Sequence, residues 1–268
     1  MAKGFSVLTW NVQGVKNYTQ TDFEDVAPLI DKTSADILCL QEMPHAKSKI
    51  NMLKNIYSYD ICIPKVNSNY VHADLQSKKH NYNIILSKFP IIRTGEIEFP
   101  KMKKIILENI LWADINIRGS IVRVYNCHLA IIGVGIAERV RQLRQVLNHA
   151  KKCKTPTIMC GDMNTATPET GMRRKVIKWL HDVPDDSMVI DGKIYDKDER
   201  FLFSSLAKHH GFRDALRINV STWALPHTSF QMFNLKLDWF LIREIHSLKV
   251  RYGKYVSDHK PILVTCVL

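Results

Sequence analysis

Short runs of apolar and β-branched residues alternate along the chain with stretches in which apolar positions recur every three to four residues. Runs of the first kind suit strands, whose side chains alternate between two faces; stretches of the second kind suit amphipathic helices. Strands are predicted over residues 5–10, 37–41, 58–63, 83–86, 105–117, 121–128, 157–160, 236–242, 246–252 and 262–267. Helices are predicted over 23–32, 45–56, 136–151, 173–181 and 203–210. This interleaving predicts an α/β fold rather than a bundle or a pure β-sandwich. Segments 105–117 and 121–128 flank Arg118-Gly119-Ser120 as an antiparallel hairpin, so the sheet is expected to be mixed. Residues 64–81 and the acidic stretch 182–200 are expected to be loops, and long loops in a compact domain are often functional.

With 268 residues, 46% of them hydrophobic, the chain can bury a substantial core as a single domain. Met-Ala-Lys-Gly leads directly into the apolar alternation of Phe5 to Trp10, without a separate export signal, and no apolar run is long enough to span a bilayer. The expectation is a soluble, intracellular protein without stable membrane insertion, cytoplasmic, or nuclear where the source cell has a nucleus. The six cysteines (Cys39, Cys62, Cys127, Cys153, Cys160, Cys266) lack CxxC spacing, and four sit in strand-like apolar runs. They are expected to be reduced and free of zinc. A net charge of +12 suggests a polyanionic partner such as nucleic acid. Residues 182–199 hold seven acids against two lysines, a local −5 that leaves +17 on the rest of the chain.

Polar residues that are costly to bury collect at the strand ends. Thr9-Trp10-Asn11 ends one strand in an amide, Leu40-Gln41-Glu42 another in a carboxylate, and Asn126-Cys127-His128 a third in an imidazole. Gly161-Asp162-Met163-Asn164 ends a fourth in a carboxylate and an amide. In the opposite sense, Asp238 opens a strand and Ser257-Asp258-His259 precedes the last one. In a mixed sheet, the carboxyl ends of strands running one way share a rim with the amino ends of strands running the other. All these groups can therefore converge on one edge. The acids and amides of such a rim offer oxygen donors, which suit a hard cation, Mg²⁺ or alternatively Mn²⁺, and disfavour zinc.

In these residues the chain resembles the endonuclease/exonuclease/phosphatase superfamily. Thr9-Trp10-Asn11, Leu40-Gln41-Glu42, Asn83 in Asn83-Ile84-Ile85-Leu86, Asn126-Cys127-His128-Leu129, Gly161-Asp162-Met163-Asn164, Leu237-Asp238-Trp239 and Ser257-Asp258-His259 match its motifs in order. The resemblance implies a four-layered α/β/β/α sandwich with two mixed β-sheets, one domain over residues 1–268, and metal-dependent hydrolysis of phosphate esters. It implies Glu42 as the principal metal ligand, with Asn11 and Asp258 beside it or bound through water. It implies Asp162 as general base, Asn164 as a donor to a phosphate oxygen, and His259 on the phosphate, oriented by Asp238. His128 would protonate the leaving group or hold a phosphate oxygen. Asn83, Asn126, Arg173 and Arg174 are the substrate-binding candidates, while Arg139 and Gln142 are expected to brace the helix after His128. Nucleic acid is the first choice of substrate and a DNA-end-processing or nuclease reaction the first choice of activity. The contexts of Asn83 and His128 resemble the deoxyribonuclease, sphingomyelinase and tyrosyl-phosphodiesterase side of the superfamily, so a lipid headgroup or inositol phosphate is the alternative. A non-catalytic relative that binds nucleic acid is the second alternative.

Overall fold

Phe5 and Val7 face one side of the first strand, and Leu8 and Trp10 the other, and both sides are buried in apolar surroundings. A strand buried on both faces must lie in a sheet covered on both sides. The computed structural model shows how. It describes residues 4–12, 23–44, 53, 61–62, 81–99, 109–131, 134–165, 189–190, 193–194, 199–224 and 235–268.

One sheet contains, in spatial order, β13 (His246–Tyr252), β14 (Ile262–Val267), β1 (Phe5–Asn11), β2 (Ile37–Pro44), β4 (Asn81–Ser87) and β3 (Ile61–Cys62). The other contains β11 (Arg213–Asp214), β12 (Asp238–Arg243), β8 (Thr157–Asp162), β7 (Ser120–His128), β6 (Ile110–Ile117) and β5 (Ile91–Ile97). Each sheet has one parallel pair, β1 with β2 and β7 with β8, among antiparallel neighbours. The expected hairpin is β6–β7, paired from Ile117↔Ser120 to Leu111↔Asn126.

Three apolar clusters separate four layers. Phe5, Val7, Ile37, Cys39 and Ile85 of the first sheet meet Val122, Val124, Ile158, Phe240 and Ile242 of the second. Leu8, Trp10, Leu38 and Leu40 cover α1 (Phe23–Thr33) through Val26, Ala27 and Ile30. On the far face, Tyr125, Met159, Trp239 and Leu241 cover α2 (Ile136–Lys151) and α3 (Glu199–His209). The fold is therefore the expected single-domain α/β/β/α sandwich with two mixed sheets.

Two expectations need correction. β5 was not anticipated, because its residues are largely exposed at a sheet edge and carry no apolar alternation. Residues 182–200 are not all loop: β9 (Val189–Ile190) pairs antiparallel with β10 (Lys193–Ile194), and α3 starts at Glu199, where an acid suits the positive end of a helix. The predicted helix over 173–181 lies outside the described residues, as do most of 45–56 and 64–81. Cys39, Cys127, Cys153, Cys160 and Cys266 are free thiols. Among the described residues no helix is long and apolar enough to cross a membrane.

Candidate active site

Strand periodicity delivers the chemistry. On β8 the residues facing the opposite sheet are Ile158 and Cys160, and the next in step is Asp162; on β7 they are Val122 and Val124, followed by Asn126 and His128. On β1 the series Phe5, Val7 continues to Thr9 and Asn11, and on β12 it runs back from Ile242 and Phe240 to Asp238. Where the apolar filling between the sheets stops, the same inward positions become polar. Register aligns them, with His128 opposite Asp162 across the parallel pair and Asp238 opposite Asp162 across the antiparallel one. Gly161 permits the tight junction: at φ +132, a Cβ there would lie 2.0 Å from the Cys127 carbonyl oxygen.

Asp162 is the hub. Its Oδ1 accepts the Asn164 backbone N–H at 2.8 Å, and its Oδ2 accepts Asn11 Nδ2 at 3.0 Å. The same Oδ2 stands 3.5 Å from His259 Nε2 and 3.7 Å from His128 Nε2. Asn11 Nδ2 also donates to Glu42 Oε1 at 3.0 Å, and that oxygen is 3.8 Å from His128 Nε2. Behind His259, Nδ1 lies 2.8 Å from Asp238 Oδ2, and Asp258 Oδ1 is 4.0 Å from Nε2. Glu42 and Asn164 both have φ 53, a left-handed conformation that residues with a Cβ adopt at a cost of about 1–3 kcal/mol and that recurs at functional sites.

The terminal loop is tied in from two sides. Trp10 Nε1 donates to Ser257 Oγ at 2.8 Å, and Ser257 Oγ donates to the Asn11 carbonyl at 2.8 Å. Trp223, bridged to His259, donates its indole N–H to Asp258 Oδ2 at 3.0 Å. Thr222 Oγ1 accepts the backbone N–H groups of Leu237 and Asp238, fixing the start of β12.

Burial pushes the Asp162 carboxyl above its ordinary range, against the pull of His259, and Asp238 adds to the push. Burial likewise raises Asp258, with His259 and the Trp223 N–H opposing it. For His259 burial acts downward, yet Asp238, Asp162 and Asp258 together hold it well above its ordinary 6.5. The result is an imidazolium enclosed by three buried carboxyl groups. Asp258 Oδ1 is buried with no hydrogen-bond partner among the described residues, which fits a carboxylate oxygen facing a cation. The nearby acids and amides supply oxygen donors of the kind Mg²⁺ takes.

Sequence comparison matches the chain to the Endonuclease/Exonuclease/phosphatase family over residues 8–259. The chain belongs to this family. Its members are phosphoric ester hydrolases. Human tyrosyl-DNA phosphodiesterase 2 is 27% identical over 165 residues, which is 60% of this chain and 42% of the human protein. The chain thus matches less than half the length of that relative. An endonuclease/exonuclease/phosphatase from Beutenbergia cavernae superposes with a TM-score of 0.72 at 16% identity, over 99% of this chain and 72% of the other. D. rerio TDP2 complexed with single strand DNA product superposes with a TM-score of 0.63 at 17% identity, over 99% of both chains. These two likenesses concern the fold.

Of the residues expected from the family motifs, Asn11, Glu42, His128, Asp162, Asn164, Asp238, Asp258 and His259 come together. Asn126 is fully buried, and its carboxamide is engaged with Leu40 O, Ile84 O and Gln41. Asn83 donates to Asn109 O at 3.2 Å, while its Oδ1 is buried without a partner among the described residues. Asn164 Nδ2 is engaged with Leu129 O, so in this conformation it holds the turn after His128. Arg173 and Arg174 lie outside the described residues. Arg139 pairs with Glu199 and donates to Ile131 O, and Gln142 accepts the Ala130 N–H, which braces the turn after β7. The sequence singles out Thr222-Trp223, ahead of the Asp238 strand, as a loop from which relatives contact substrate, but it does not show the Thr222 bonds to β12, the Trp223 indole bond to Asp258 or the buried bonds of Gln41. Their spacing shows no contact, since each acts across the chain on a strand distant in sequence.

Proposed function

We propose that this protein is a divalent-cation-dependent phosphodiesterase acting on nucleic acid, as a nuclease or a DNA-end-processing enzyme. The observation that carries this reading is the Asp162 carboxylate, set against Asn11, His128 and His259, with Asp238 behind the imidazole. Asp162 accepts the proton of the attacking water, and its raised proton affinity suits a base working near neutral pH. His259, kept protonated by its carboxylate neighbours, donates from Nε2 to a non-bridging phosphate oxygen and offsets the charge that develops there. Asp238 fixes the ring through Nδ1. His128 faces both Glu42 and Asp162 and is the group that protonates the departing oxygen or holds a phosphate oxygen. Asp162, Asp238 and His259 bring donor atoms within 4.8 Å of one another. Because His259 Nδ1 is already bonded to Asp238, we assign this trio to proton handling. Glu42, with Asn11 and Asp258, would hold Mg²⁺ or Mn²⁺. When bound, the cation supplies Lewis-acid neutralisation of the phosphate.

Nucleic acid is favoured by the +17 balance outside the acidic stretch and by the tyrosyl-DNA phosphodiesterase relatives. The test is a panel of single-stranded, duplex, abasic and 5′-tyrosyl DNA, RNA, sphingomyelin and inositol phosphates, with Mg²⁺ or Mn²⁺. The expected outcome is cleavage of a nucleic-acid substrate that EDTA abolishes and Mg²⁺ restores. Hydrolysis of only the lipid or the inositol phosphate replaces the substrate assignment. Activity unaffected by EDTA overturns the cation's role.

A further inference from the structure

Glu42 reaches Asn11 from an irregular stretch of backbone. Pairing of β2 with β4 is regular up to Leu40↔Ile84 and resumes only at Met43↔Tyr82. Glu42 lies within that break at φ 53, unfavourable for a residue with a Cβ, so neighbouring groups must over-determine it. Bulges of this kind re-aim a side chain.

The break is held by one amide from the other sheet and one from β2 itself. Asn126, on β7, crosses the inter-sheet space and donates Nδ2 to Leu40 O at 2.8 Å and to Ile84 O at 2.9 Å. These carbonyls belong to the last regular pair before the break. Asn126 Oδ1 accepts Gln41 Nε2 at 2.6 Å, and the same Nε2 lies 3.1 Å from Cys39 O and 3.2 Å from Thr9 Oγ1 on β1. Both amides are fully buried, and the Gln41 Oε1 atom has no partner among the described residues. An apolar filling of the same space would avoid that orphaned atom but would remove the Asn126 donor from two strand carbonyls.

We propose that Gln41 and Asn126 are positioning residues: their paired amides fix the β2 break at the angle that presents the Glu42 carboxylate to Asn11, and so set the affinity of the site for its cation. This rests on the assignment of Glu42 as a cation ligand. Groups that orient a metal ligand change metal affinity by about 10–100-fold when removed.

The test uses Mn²⁺ alone, with the free ion followed by electron paramagnetic resonance and thermal midpoints recorded in parallel. The proteins are the wild type, Glu42→Gln, Asn126→Ala, Gln41→Met and the double variant Asn126→Ala/Glu42→Gln. Asn126→Ala and Gln41→Met should each weaken Mn²⁺ binding about 10–100-fold, and the double variant should bind no more weakly than Glu42→Gln. Gln41→Met removes the bonds at nearly constant volume, so it decides the matter if Asn126→Ala does not fold. Wild-type affinity in Gln41→Met and in any folded Asn126→Ala, whatever the midpoint, overturns the proposal while Glu42→Gln remains impaired. Full additivity in the double variant overturns it as well. Undiminished binding by Glu42→Gln instead removes the assignment of the ligand itself, and the proposal with it.

Discussion

Two buried clusters of charge, one within the second sheet and one at the rim where both sheets contribute, are built on opposite plans. On β6, Asp114 is 1% exposed and meets two guanidiniums: Arg123 binds it through both Nε and Nη2, and Arg93 Nε donates at 2.9 Å. Arg123 also lies over the Trp112 ring at 3.9 Å. Burial alone would raise the Asp114 carboxyl, but the arginines outweigh it and hold it below its ordinary 3.8. At the rim, Asp162, Asp238 and Asp258 crowd around His259, Asp162 and Asp258 are raised by burial, and Asp238 Oδ1 and Asp258 Oδ1 have no hydrogen-bond partner among the described residues. A charge cluster that serves stability is matched and satisfied. On the proposed function, the rim cluster is left short of positive charge, and a bound cation would supply it.

That contrast breaks first if the rim is dispensable for turnover. Asp162→Asn and His259→Ala should each lower turnover about 10²–10⁴-fold while the far-ultraviolet circular dichroism stays native. Near-normal rates in either variant would remove the catalytic assignment. The second comparison is with Asp114→Ala, which strands Arg123 in the interior and should cost about 3–5 kcal/mol in urea denaturation. Its turnover per folded molecule should be unchanged. A loss of rate without a loss of stability there would erase the distinction between the two clusters. The smallest effect concerns pH. Asp114, held below 3.8, contributes stability that is present above that value and lost as pH falls through its lower folded value. His259, held well above 6.5, contributes stability that is complete below 6.5 and lost as pH rises through its folded value. In metal-free buffer, the midpoint gap between wild type and Asp114→Asn should therefore close on acidification, and that between wild type and His259→Ala on alkalinisation. Gaps that close in the same direction would show that the two clusters do not differ in the way described.

Much of the rim was legible in the sequence because strand periodicity is short-range. Once Phe5, Val7 and Thr9 are placed on one face, Asn11 must share it, and Ile158 and Cys160 do the same for Asp162. Their convergence required only that the sheets be mixed, which the hairpin around Gly119 announced. The inward direction of Asn126 was equally implied, but its role was not. Whether an inward amide meets substrate or a strand of the opposite sheet depends on sheet-to-sheet packing, to which sequence spacing is blind. The break in β2 was half legible: the adjacent polar pair in Leu40-Gln41-Glu42-Met43 interrupts alternation, and the strand was expected to end at Gln41, whereas pairing with β4 resumes at Met43 and bonds from Asn126 on the other sheet flank the interruption. β5 escaped notice because an edge strand facing solvent needs no apolar period.

The first and last strands are neighbours, with Phe5 opposite Cys266 and Thr9 opposite Ile262, and Trp10 is fastened to Ser257. Asn11 and His259 are thus remote in sequence yet fastened in space, so a chain truncated before residue 257 would keep Asn11, Glu42 and Asp162 but lose both the imidazole and the bonds that hold the first strand to it.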